Sequence, residues 1–143
     1  MIEENEMMSI VLNDFPGFKP MWDKYIEYYS DDEPYIPGPT CALDKFGTYI
    51  IQKIQEKPQD QVLLQKAFDL IERFATEGDE MVDLAATTGF LEYLSNVTPE
   101  KISGHDFIKY LGPESKAYLK AYDELCGVQM DGLWDEGEPF HPR

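Results

Sequence analysis

The chain has 143 residues, 28 acidic and 12 basic side chains, a formal net charge of −16 and 43% apolar residues. This length suits a single domain that folds without a disulfide or a metal, and the apolar fraction is that of a globular protein. The charge repels nucleic acid and anionic membranes and attracts basic partners, and the apolar runs are only a few residues long, too short to span a bilayer.

The opening stretch Met1-Ile2-Glu3-Glu4-Asn5-Glu6 is acidic where a signal peptide is basic, and no apolar core follows it, so the expected location is cytoplasmic. The first predicted helix runs from about Glu3 to Leu12 and stops before Phe15-Pro16-Gly17, where proline removes a donor and glycine frees the backbone. The second runs from about Pro20 to Tyr29, with Met21, Trp22, Tyr25, Tyr28 and Tyr29 on one face. That spacing reads as a core-facing stripe or as a set of aromatic anchors for a partner. Residues 30–39 hold three consecutive acids, three prolines and a glycine, which forbids a regular helix and predicts a solvated loop.

Thr40 is the expected cap of a third helix with the stripe Leu43, Phe46, Gly47, Ile50 and Ile54, in which Gly47 marks a close approach of another helix. After Lys57-Pro58 a fourth helix is predicted over about Gln59–Thr76, stopped by Gly78, and Asp79 can cap the next. That fifth helix, Glu80–Leu94, is apolar on most sides and carries the small run Ala85-Ala86-Thr87-Thr88-Gly89, so it is expected to be the central helix. Thr98-Pro99-Glu100 predicts the start of a short helix reaching about Tyr110. The last helix spans about Pro113–Cys126 with Tyr118, Ala121, Tyr122 and Leu125 inward, and Gly127 ends it.

The reading is an all-α bundle of about six to seven helices around helix 80–94, in sequential antiparallel pairs or in pairs stacked like helical repeats. A helical domain over 1–127 is followed by an acidic irregular tail, 128–143, which Leu133, Trp134 and Phe140 would pin to the helices. Cys41 and Cys126 have no CxxC spacing and are expected as small buried residues.

The charge is densest at the two ends. Residues 1–39 carry nine acids and two lysines, residues 40–126 fifteen acids and nine bases, and residues 127–143 four acids and one arginine.

No catalytic residue, cofactor site or metal site is expected. His105 and His141 are the only histidines, and neither sits in HExxH or beside CxxC. Aligning Gly132 with the invariant glycine of a calcium loop puts Gly127 where the first carboxylate must stand. Ser103-Gly104-His105-Asp106 holds three triad residue types side by side, whereas triads form across a fold. GxSxG and GxxxxGK[ST] are absent from the sequence. Glu138-x-x-His141 has di-iron spacing but lies in the proline-flanked tail. The acid pairs Asp31/Asp32, Asp79/Glu80, Asp123/Glu124 and Asp135/Glu136 read as solvated surface.

What survives is the combination of acid and aromatic: Trp22, Tyr25, Tyr28 and Tyr29 precede Asp31-Asp32-Glu33-Pro34-Tyr35. Aromatic side chains anchor interfaces and carboxylates steer basic partners. The expected contact residues are Asp31, Asp32, Glu33 and Tyr35, with Trp134, Asp135 and Glu136 of the tail.

Four segments carry a resemblance: Asn13-Asp14-Phe15-Pro16-Gly17-Phe18, the helix Phe46–Ile54, Phe90-Leu91-Glu92-Tyr93-Leu94, and Tyr110-Leu111-Gly112-Pro113-Glu114-Ser115. On these the chain resembles a family of small all-helical bacterial proteins of unknown function, over most of residues 5–127. The resemblance implies an all-helical fold and supplies no catalytic residue. In charge and size the chain is also similar to immunity proteins, which neutralise toxins. The functional expectation is an acidic binding protein occluding the basic active site of a toxin such as a nuclease. The alternatives are a helical adaptor or scaffold, and a small hydrolase with an unrecognised site near His105.

Overall fold

A computed structural model describes residues 1–98 and 100–143. The helices are α1 (Glu4–Asp14), α2 (Lys19–Tyr29), α3 (Pro39–Gln55), α4 (Gln61–Glu77), α5 (Glu80–Leu84), α6 (Glu92–Val97) and α7 (Pro113–Cys126). A π-helical segment, Ala85–Leu91, joins α5 to α6 in one rod, and short 3-10 turns lie at Pro16–Phe18, Gly104–Asp106 and Ile108–Tyr110. Among the described residues there is no strand, only a single parallel bridge between Ile2 and Gly78.

The rod formed by α5, the π segment and α6 is the centre. α3 lies along it, α4 and α7 also pack on it, and α1 touches α3 and α5. Close approach depends on glycine at two points. A Cβ on Gly89 would lie 2.5 Å from the Thr40 carbonyl oxygen at the start of α3, and one on Gly47 would lie 2.9 Å from the Tyr93 ring. The expected approach at Gly47 is therefore a contact with the rod. Rings run through the core as a chain: Phe46 meets Phe90 at 5.9 Å, Phe90 meets Phe68 at 5.7 Å, and Phe68 stacks on Phe107 at 5.9 Å. These four are fully buried. Burial of each contributes about 1.5–3 kcal/mol, and ring pairing adds about 0.5–1.5 kcal/mol per contact.

Several expectations are corrected. The central helix extends to Val97, and its middle is π-helical rather than α-helical. A π segment frees a carbonyl from the regular ladder. Here the Thr87 hydroxyl donates to the Asp83 carbonyl at 3.0 Å and approaches that of Leu84 at 3.3 Å. Leu84 is 45% exposed rather than interior.

The helix expected from Glu100 to Tyr110 is replaced by two 3-10 turns. Ser103 and Asp106 close the first turn as a capping box, and Gly104 packs under the tail, where a Cβ would lie 1.8 Å from the Asp131 carbonyl oxygen. The start signal at Pro99 lies outside the described residues. Thr40 does not cap α3, because Pro39 occupies its first turn and Gly38 is the N-cap. Cys41 and Cys126 are both exposed, on the solvent side of α3 and in the last turn of α7. The inward face of α7 is Ser115, Leu119 and Asp123 rather than Ala121 and Leu125, since Leu125 is 60% exposed. Tyr118 and Tyr122 are half-buried.

Asp79 does cap α5, accepting from the Val82 amide at 2.9 Å, and its other oxygen accepts from the Glu4 amide at 2.9 Å in the first turn of α1. These bonds hold its carboxyl below the usual range. One carboxylate thus neutralises the positive ends of two helices.

Candidate functional site

The acid–aromatic segment is built on α2. Phe18, fully buried, roots the helix against Phe46 and Tyr49, each at 5.3 Å between ring centres. From there rings climb one helical turn at a time toward solvent. Trp22 lies 5.9 Å from Phe18, Tyr25 5.6 Å from Trp22, and Tyr29 5.4 Å from Tyr25. Tyr28 packs edge-on against Tyr29 at 4.9 Å. None of the α2 residues is fully buried; Tyr28 is 80% and Tyr29 58% exposed. Of the two readings of this face, the core-facing stripe holds for Met21 and Trp22, which pack on the core, leaves Tyr25 half-buried, and fails at Tyr28 and Tyr29, which stand in solvent.

The loop after α2 is folded back on it. The Ser30 hydroxyl donates to the Ile26 carbonyl at 2.6 Å and accepts from the Tyr35 amide at 2.9 Å. Asp31 accepts from the Glu33 amide at 3.0 Å, closing a side-chain turn. Tyr35 rests against Tyr25 at 5.7 Å and Tyr29 at 5.3 Å, with its hydroxyl 3.3 Å from that of Tyr25. Burial, then the Tyr35 hydroxyl, push the Tyr25 phenol well above its usual range, so it stays neutral. Asp31, Asp32 and Glu33 are left exposed at the tip of this loop.

Beside it, between α2 and α3, lies an open groove of about 580 Å³. Tyr25, Tyr28, Tyr29 and Tyr49 line it together with Lys24, Lys45 and Gln52. The Lys45 ammonium sits 5.4 Å from the centre of the Tyr25 ring, a cation–π contact. Lys24, Lys45, Tyr49 and Gln52 escaped the sequence reading, although Lys45, Tyr49 and Gln52 recur at helical spacing on one face of α3.

The tail candidates sit elsewhere, on α7. Asp123, buried, accepts from the Met130 amide at 2.8 Å and from the Trp134 indole N–H at 2.7 Å. Burial raises its carboxyl above the usual range, and these two bonds oppose that shift. Trp134 also meets Phe140 edge-on at 5.1 Å and lies under the Lys120 ammonium, which pairs with Glu138 at 2.6 Å. Leu133 is fully buried. The indole is thus engaged within the chain, while Asp135 and Glu136 stay exposed. The reading of the Asp123/Glu124 pair as solvated surface is overturned for Asp123.

Ser103, His105 and Asp106 do not form a relay. The Ser103 hydroxyl accepts from the His105 amide at 3.2 Å, and the Asp106 carboxylate accepts from the Ser103 amide at 3.1 Å, so both serve a turn. Among the described residues no group of three His, Cys, Asp or Glu side chains is placed to hold a metal ion, and no helix is long and apolar enough to cross a membrane.

A family model described as a domain of unknown function, DUF7674, matches residues 8–127. The match includes α2, the acidic loop and the α2–α3 groove, and stops short of the tail. No curated protein and no solved structure matches the chain.

Proposed function

The chain belongs to the DUF7674 family of domains of unknown function, and we propose that it is an acidic protein-binding module that covers a basic surface of a protein partner. The observation that carries this reading is the α2 edge. Three carboxylates, Asp31, Asp32 and Glu33, project from a hydrogen-bonded loop beside exposed Tyr28 and Tyr29. Aromatic side chains that stay mostly in solvent add little burial to the fold, whereas at an interface they supply contact area at low entropic cost. The carboxylates supply long-range attraction, and the pre-formed loop reduces the ordering that binding requires.

An immunity protein that occludes the basic active site of a toxin of the nuclease type has this chemistry, and we take it as the leading form of the proposal. Of the tail candidates, Asp135 and Glu136 remain available for contact, while Trp134 supports the tail itself. The second form is a helical adaptor, for which the charge serves solubility alone.

The test is purification of partners on the tagged chain and on a D31K/D32K/E33K variant, at about 50 and about 500 mM salt. The expected result is a basic protein held at low salt, released at high salt and lost from the variant. A partner held equally by both chains at both salts would favour the adaptor. Absence of any salt-sensitive complex would overturn the leading form.

A further inference from the structure

The lining of the groove between α2 and α3 runs against the net charge of the molecule. The chain as a whole carries 28 acids against 12 bases, yet the groove is lined by Lys24 and Lys45 and by no carboxylate. Among the described residues neither lysine has a carboxylate within 4.0 Å, although five other cations do. The rest of the wall is phenol. Tyr28 and Tyr29 offer exposed ring surface, Tyr25 lies under the Lys45 ammonium, Tyr49 is buried, stacked on Phe46, and Gln52 adds an amide at the rim.

Each part of this lining selects for something. Ring faces accept a flat apolar body, lysines and phenols together donate to an anion, and about 580 Å³ is the size of a small-molecule site. A flat cation would also stack on the rings, but here it would meet two ammonium groups at short range. We propose that the α2–α3 groove is a binding site for a small planar aromatic molecule carrying an anionic group, with the aromatic body on the tyrosine rings and the anion between Lys24 and Lys45. The groove shares Tyr28 and Tyr29 with the proposed protein contact but none of the three loop carboxylates, so the charge-reversed loop variant tells the two sites apart.

Titration of the full chain by calorimetry and by NMR separates the two halves of the recognition. The probes are 2-naphthoate, its neutral counterpart 2-naphthylmethanol, and acetate, which has the anion without the ring. The expected result is saturable one-to-one binding of 2-naphthoate with shifts at Tyr25, Tyr28 and Tyr49, and binding of the other two weaker by about tenfold or more. Replacing both lysines, K24A/K45A, should weaken naphthoate by about tenfold and leave naphthylmethanol unchanged. Gln52 is exposed, so Q52E should fold normally, and the carboxylate it brings to the rim should weaken naphthoate selectively. D31K/D32K/E33K should not weaken it. Equal binding of naphthoate and naphthylmethanol, insensitivity to K24A/K45A and Q52E, or no binding at all would each overturn the proposal.

Discussion

Glu72 shows how far a single carboxylate reaches. It stands on α4 and accepts from the Glu114 and Ser115 amides, both at 2.9 Å, and from the Ser115 hydroxyl at 2.8 Å. These are free donors of the first turn of α7, whose own N-cap, Gly112, has no side chain to offer. A Cβ on Gly112 would lie 2.4 Å from the Glu72 carboxyl carbon, so the glycine makes room for the cap. Burial pushes the Glu72 carboxyl up, but the three hydrogen bonds outweigh it and the net shift is downward. A carboxylate held below its unfolded value stabilises the fold above that value, and the contribution is lost as pH falls through the folded one. E72A should therefore cost about 1–3 kcal/mol at neutral pH in chemical denaturation. E72Q should show less loss of stability on acidification than the native chain. Gly89 offers a second check at this scale. G89A forces a methyl against the Thr40 carbonyl and should cost about 1–3 kcal/mol by the same measurement; a neutral result would mean that α3 can slide away from the rod.

Among the elements, the tail depends most on one buried group. Asp123 holds the backbone at Met130 and the indole of Trp134, while Glu124 accepts from the His141 amide at 2.9 Å. Because the Asp123 carboxyl is raised above its usual range, its ionised form carries a penalty in the fold. That penalty is relieved as pH falls through the raised value, opposite in sign to Glu72. D123N keeps an acceptor and removes the charge, so it should match or exceed the native chain in stability at neutral pH. D123A strands two donors and should cost about 1–3 kcal/mol. It should also open the tail to chymotrypsin at Leu133, Trp134 and Phe140. Resistance of D123A equal to that of the native chain would place the tail's anchorage in buried Leu133, the Lys120–Glu138 pair and the Glu124–His141 bond. The rod has a different logic: its π segment bonds the Glu92 amide to the Thr87 carbonyl, five residues back. The small residues Ala85, Ala86 and Gly89 lie buried in the same segment, where α3 comes closest.

Over the whole molecule, a net charge of −16 on a chain of 143 residues is a standing self-repulsion. The observed ion pairs are mostly exposed and contribute little. Added monovalent salt should therefore raise the thermal midpoint, by screening repulsion more than it weakens those pairs. A midpoint that falls with salt would show that local pairs outweigh the long-range field.

Legible in the amino-acid order alone are the all-helical class, the breaks at Phe15-Pro16-Gly17 and over residues 30–38, the cap at Asp79, the stop at Gly127 and the central position of the apolar segment after Glu80. These are set by backbone stereochemistry and by periodicity within a few residues, and both can be read in one dimension. It took the packed fold to bury Asp123 while leaving Cys41 and Cys126 exposed, to bring Glu72 onto a helix more than forty positions away, and to set Lys24 in one groove with Lys45, Tyr49 and Gln52. Whether a polar side chain is solvated, buried or paired depends on what distant segment arrives opposite it. The acidic loop was legible because its residues are neighbours in the chain. The tyrosine–lysine groove was not, because it is assembled from two helices.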